Sequence, residues 1–446
     1  MNFSLGAKSF FSRGGCAIVV LLILAIYGFE THARRQCMAS PATQGDQGAY
    51  LTYAKQIYDG HYTFVGDRNR MPVFPFLLSL IYRPGMSEKE FLNSAQAFNV
   101  NLSIALLLFL WLIFRKFVPT FHALALLVIT AFGVFIYRAV LVQAEVLFYF
   151  ISFCGFLLLL RMLTAPRWWL ALLSGATMGI AHLTKASVLP ALVVWAAVFL
   201  VQIFWNDRGR RGGDSGNAWR GLGMLLLVIG AFAAVIFPYI RTSKNVYGSY
   251  FYNMNSTFMM WCDSLPEGEA FLIAYGEAGK WRELPADQIP SATKYWREHS
   301  VSQIGHRLAH GLRGVATQNA MAIAYYKFMF VFAFIAVFRL MRHPRSALRL
   351  IGEKPFPAAF CLLFLIIYVL LYAWYDPIIR DTRFILSTFL PFVFAASLFI
   401  LALEKDRTIA IGSWRLPFTQ FFAGLLISLA LIDVIYNAVG AYRIIA

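Results

Sequence analysis

Runs of about 18–22 apolar residues recur along most of this 446-residue chain, and each can cross a hydrocarbon layer about 30 Å thick as a helix. Lipid offers no water to backbone N–H and C=O groups, so such runs close their hydrogen bonds within each helix. Composition agrees: 59% of the residues are hydrophobic and only 14% are charged, against about 45–50% and about 25% in soluble domains. Intrinsic disorder, a secreted disulfide scaffold and a soluble nucleic-acid binder are excluded. The expected fold is an all-α polytopic membrane protein, one transmembrane domain over residues 1–446.

Hydropathy places about eleven spans, near residues 14–30, 92–114, 119–137, 142–163, 168–184, 187–205, 221–239, 318–338, 356–375, 384–403 and 418–437. The first follows Lys8 and Arg13, and Glu30-Thr-His-Ala-Arg-Arg35 follows it with no small-residue cleavage site, so it reads as a retained span. With the N-terminus in the cytoplasm, cytoplasmic segments carry a net charge of about +13 of the total +17. The basic balance is therefore a topology signal, and no nucleic-acid partner is needed to explain it.

Two extracytoplasmic segments are too long to be simple connections. Residues 31–91 are polar and aromatic, with a short apolar stretch, Pro72–Tyr82, that reads as an interfacial or re-entrant helix. Residues 240–317 form the second, whose tail Ile289–Gly314 mixes Arg and Lys with Trp296, Ile304 and Leu308 as an amphipathic surface helix would. Cys37 and Cys262 both fall on this side, which leaves one disulfide open; no cysteine spacing suggests zinc. The Gly-rich run Asp207–Gly216 lacks the spacing and the Lys-Ser/Thr of a phosphate-binding loop. Any donor substrate must arrive already activated.

The first long segment holds the richest chemistry. Thr43–Gly60 reads as a helix from about Gln47 to Asp59, with Tyr50, Tyr53, Ala54 and Ile57 on one face and Gly60 at its end. Asp46 at the helix start reads either as a cap for helix N–H groups or as a general base facing an acceptor hydroxyl or amine. Arg70, before the stiff Pro72-x-x-Pro75 turn, suits a phosphate through paired donors, or simply reaches to lipid headgroups. Glu145 stands at the outer mouth of the fourth span and Lys185 at the outer turn between the fifth and sixth. Each alone is interfacial decoration; together they put ionisable groups on one membrane face.

Taken in order, Asp46 with Tyr50, Arg70-x-Pro-x-x-Pro75, Glu145, Gly179 with Leu183-Thr-Lys185, Pro238-Tyr-Ile-Arg241 with Asn245 and Gly248, and Asp381-Thr-Arg383-Phe with Pro391 form a series that resembles the GT-C superfamily. These are glycosyltransferases that use polyprenyl-phosphate sugars, protein O-mannosyltransferases and lipid A aminoarabinose transferases among them. The likeness spans residues 14 to 400, and Gln47 stands where many relatives carry a second acid. It implies a polyprenyl-phosphate-linked sugar as donor and an envelope glycolipid, glycan or protein as acceptor. The site would face the periplasm or cell exterior of the plasma (inner) membrane, in contact with membrane lipid. Asp46 would be the catalytic base, and Arg70, Lys185, Arg241 and Arg383 the candidates to bind the donor phosphate. Tyr50, Tyr53, Trp261 and Trp296 would stack on sugar, and Asp67 and Glu145 would position the acceptor or an ion. A divalent metal ion stays open as cofactor, with no ligands assigned.

A lipid-linked saccharide flippase or secondary transporter is the alternative. Such proteins carry internal repeats and ionisable groups near mid-membrane; here no repeat is visible, and the only convincing intramembrane carboxylate is Asp433, with Lys327 near the start of its span. A non-catalytic partner in envelope assembly is the third reading.

Overall fold

A computed structural model describes residues 13–37, 45–62, 69–208, 216–276, 280–317, 323–404, 407–412 and 414–445. Asp67 lies outside the described residues, as does the side chain of Cys37. The regular structure of the described chain is helical apart from one hairpin, β1 (Thr408–Ile411) with β2 (Trp414–Pro417), which replaces the loop expected between the last two spans. Gly412, at φ +60, supplies the left-handed turn residue that this hairpin needs.

The first half is built from α1 (Arg13–Cys37), α2 (Gly45–Asp59), α3 (Val73–Ser79), α4 (Glu88–Phe117), α5 (Thr120–Thr130), α6 (Ile136–Arg138), α7 (Glu145–Thr164), α8 (Trp168–Thr184), α9 (Leu189–Arg208) and α10 (Gly216–Tyr247). Local chemistry sets many of the boundaries. Ser87 and Glu90 close a reciprocal capping box at the start of α4, at 2.7 and 3.3 Å. α2 ends as a Schellman motif, with Tyr62 N–H on Ile57 O and His61 N–H on Tyr58 O. The left-handed residues are His61 and Tyr62, one place beyond Gly60. α10 runs through Pro238 as far as Tyr247, so two turns expected in the second long loop are helix.

The second half comprises α11 (Met254–Thr257), α12 (Leu265–Tyr275), α13 (Ala292–Glu298), α14 (Val301–Thr317), α15 (Ile323–Arg342), α16 (Pro344–Glu353), α17 (Pro355–Tyr375), α18 (Thr382–Ile385), α19 (Phe389–Leu403) and α20 (Phe418–Ile445). The single amphipathic helix expected over Ile289–Gly314 is two. The chain breaks at His299–Ser300, where Ser300 and Gln303 exchange capping hydrogen bonds at 2.7 and 3.3 Å.

Nine helices among the described residues are long and apolar enough to cross a membrane, the eighth being the continuous run Thr382–Leu403. α8 and α15 stand where the other two spans are expected; α8 has only 17 residues. α8 lies close against α7 and α10. Gly175 and Gly179 make the second approach, because a Cβ at Gly175 would sit 2.2 Å from the carbonyl oxygen of Val228. One contiguous apolar core runs through the bundle, and a small separate one, around Tyr252, Phe258, Cys262 and Leu272, lies in the second long segment.

Candidate active site

α2 offers one face to the core and its first turn to an open cavity. Tyr50, Tyr53, Ala54 and Ile57 are all buried, which holds the helix against α3 and leaves Asp46 in the first turn. Pro72 launches α3 directly after Arg70, and Tyr50 meets Phe74 edge-on at 5.4 Å. Arg70 Nη2 thus reaches Asp46 Oδ1 at 2.9 Å. From the far end of the chain, Asp381 caps α18 by accepting the Arg383 N–H at 2.9 Å. That turn aims the Arg383 guanidinium at the other Asp46 oxygen, Oδ2, to which Nη1 donates. Both oxygens of Asp46 are held by guanidinium.

The network continues inward. Arg383 Nε pairs with Asp381 Oδ2 at 2.9 Å and its Nη1 lies 3.7 Å from Glu145 Oε1, which Lys185 Nζ engages at 2.8 Å. Arg138 approaches Asp381 at 3.5 Å and donates to Thr382 Oγ1 at 2.9 Å. Among the described residues, four cations therefore meet three carboxylates. Such alternation offsets much of the cost of burying charge and leaves one positive charge in excess. Burial by itself pushes the Asp46 carboxyl up, but Arg383 and Arg70 outweigh it and hold it below its ordinary value. Burial pushes the Tyr50 phenol above its usual range, with the carboxylates of Glu145 and Asp46 adding to it, so Tyr50 stays neutral.

The cluster opens on a cavity of about 390 Å³ walled by both long segments and by α8, α10 and α17. Asn253 Nδ2 donates to Asn69 O at 3.0 Å and Asn255 Nδ2 to Asn69 Oδ1, joining the two segments across it. The wall at Met260 is braced from behind: Arg307 donates to the carbonyls of Cys262, Met260 and Trp374 at 2.8, 3.3 and 3.1 Å, and the Trp374 indole donates to Met260 at 2.8 Å. Leu189, Pro190, Phe251 and Leu371 supply an apolar part of its lining. Among the described residues, Glu145 Oε2, His182 Nδ1 and the Tyr375 hydroxyl line the cavity as buried polar atoms with no hydrogen-bond partner. Buried orphans are scarce in folded proteins. Several in one cavity are suited to a ligand rich in hydroxyl groups.

Asp46, Tyr50, Arg70, Glu145, Lys185 and Arg383 all line this cavity. Two residues expected beside them do not. Arg241 is exposed on α10, and Tyr53, 1% exposed, is packed into the interior. Trp261 and Trp296 pack around Trp374 instead of facing the cavity. Gln47, the position of the second acid in the resemblance, is buried and accepts the Val142 N–H at 2.9 Å, tying α2 to the chain before α7. Cys262 is a buried free thiol, pushed up to about 12 by burial first and the Glu267 carboxylate second. Among the described residues no group of three or more His, Cys, Asp and Glu side chains could hold a metal ion, and the two cavity carboxylates are already engaged by cations. Arg138, His182, Tyr375 and the three asparagines were missed in the sequence; only Arg138, a cation at the end of a span, stood out locally. The chain matches no protein-family model, no curated protein and no solved structure.

Proposed function

We propose that this protein is a membrane glycosyltransferase that moves a sugar from a polyprenyl-phosphate donor to an acceptor at the extracytoplasmic face of the plasma (inner) membrane. The observation that carries the reading is Asp46 held between Arg70 and Arg383 at a cavity with a partly apolar lining and several orphaned polar groups. The isoprenoid tail would follow Leu189, Pro190 and Leu371 toward lipid. The phosphate would meet Arg70 and Arg383, with Lys185 behind them, and the sugar would face His182, Ser187 and Tyr375. The acceptor oxygen or nitrogen attacks the anomeric carbon and loses its proton to Asp46. The bond from that carbon to the phosphate oxygen breaks, and its electron pair leaves on the phosphate. The Arg383 guanidinium, already held by Asp381 and close to Glu145, stabilises that charge together with Arg70.

A lipid-linked saccharide flippase or secondary transporter is the second reading, favoured by the Lys327–Asp433 ion pair between α15 and α20. Reconstitution with a labelled polyprenyl-phosphate sugar and a mixed envelope acceptor fraction, without ATP or an ion gradient, separates the two. Label transfer supports the transferase. Movement of intact donor across the bilayer without transfer overturns it.

A further inference from the structure

Among the described residues, the side-chain partners of Asp46 are the two arginines offered to the phosphate. Arg70 and Arg383 take one carboxylate oxygen each, and the three side chains keep 29%, 17% and 16% of their surface exposed, so an anion in the cavity can reach them. A carboxylate and a phosphate are competing ligands for the same planar N–H donors. We propose that they exchange: the donor's phosphate displaces Asp46 from Arg70 and Arg383, and only then is the carboxylate released to act as a base.

This rests on the transferase reading and deepens it. Charge conservation gives it a direction at each stage. Among the described residues, Arg70, Arg138, Lys185 and Arg383 with Asp46, Glu145 and Asp381 carry one excess positive charge, and a sugar phosphodiester brings one negative charge, so these groups and the donor balance in the bound state. When the carbon–oxygen bond breaks, the phosphate gains a second negative charge, while Asp46 takes the acceptor's proton and loses its own. That balance holds through the step. Once Asp46 gives its proton to water, it is again an anion that competes for the arginines, and the phosphate product is pushed out. Without donor, Asp46 stays locked to guanidinium.

The exchange makes an unusual forecast for Asp46→Asn. Removing a catalytic base ordinarily leaves ligand affinity alone; removing a competing anion raises it. Binding of a short-chain isoprenyl monophosphate to the purified protein in detergent, measured by calorimetry, should tighten about tenfold or more, the scale of one charge-assisted hydrogen bond. Transfer should fall by about 10²-fold or more over the same substitution. Affinity unchanged or weaker in Asp46→Asn overturns the exchange, even if transfer is lost and the base assignment survives. Tighter binding with transfer retained supports the exchange and removes the base. Inorganic phosphate is the second arm: tightening with it alone supports exchange with a free anion and overturns the lipid donor. Infrared difference spectra of the wild type supply a check that needs no folded variant. Adding isoprenyl phosphate should shift a carboxylate band, and no shift at saturation overturns the proposal.

Discussion

Two glycines on α14, six residues apart, should respond oppositely to the same substitution. A Cβ at Gly305 meets nothing within 4 Å, whereas a Cβ at Gly311 would lie 1.8 Å from the carbonyl oxygen of Ala373 and 2.9 Å from its Cα, both on α17. Alanine in place of either glycine stabilises the helix by about 0.5–1 kcal/mol. Gly305→Ala should show that gain. Gly311→Ala must also move α14 roughly 1.5 Å away from backbone that cannot rotate aside, and overpacking of this kind costs about 1–3 kcal/mol. The helix term is common to both, so the difference between them isolates the contact. Unfolding in mixed detergent, followed by tryptophan fluorescence, measures it. The same displacement carries Arg307 away from the carbonyls of Met260 and Cys262, so Gly311→Ala should also weaken isoprenyl phosphate binding, while Gly305→Ala leaves it unchanged. Equal shifts in stability for the two variants would refute the close packing of α14 on α17, and with it the bracing of the cavity wall.

Arg70→Lys should lower transfer because an ammonium cannot offer paired donors, and Arg70→Ala should lower it further, with protein yield nearly constant; wild-type turnover in Arg70→Ala would leave only a headgroup contact. Glu145→Gln removes the carboxylate beneath Lys185 and Arg383 and should destabilise toward the low end of about 3–5 kcal/mol, since Lys185 keeps 22% of its side chain exposed. Glu145→Gln combined with Lys185→Met should recover most of that stability in the same unfolding assay without recovering transfer; recovery of both would make the pair purely structural. Cysteines placed at Ser264 and Ser346 should label from opposite sides of the membrane, and labelling from one side would overturn the orientation proposed for the site.

The local part of this architecture was legible. Tyr50, Tyr53, Ala54 and Ile57 follow helical spacing, and the structure buries all four. The same regularity misleads about ligands: Tyr53 lies on the face that anchors α2, and one face cannot serve the interior and a substrate together. Arg241 follows a Pro-Tyr-Ile run that promised a site, but α10 continues through Pro238 and carries it outward. The Ser300-x-x-Gln303 box that divides α13 from α14 was readable in principle, yet apolar periodicity across the break suggested continuity. Arg307 was hidden for another reason. Its buried partners are backbone carbonyls, which leave no signature in side-chain pattern. Arg138 with Asp381, and Asn69 with Asn253, are 243 and 184 residues apart, and such pairings are decided by helix packing alone.

Separation along the chain also has a consequence in time. Asp46 and Arg383 are 337 residues apart, and synthesis at about 5–20 residues per second puts roughly 20–70 s between their emergence. Throughout that interval the first helices are in place while the guanidinium of α18 does not yet exist. Arg70, only 24 residues beyond Asp46, is the partner already made. Of the two partners, it alone can reach Asp46 before the later helices are made. A chain interrupted before Asp381 would carry most of its spans and half of this clasp, and the pair of arginines that we propose binds phosphate is completed by one of the last helices to arrive.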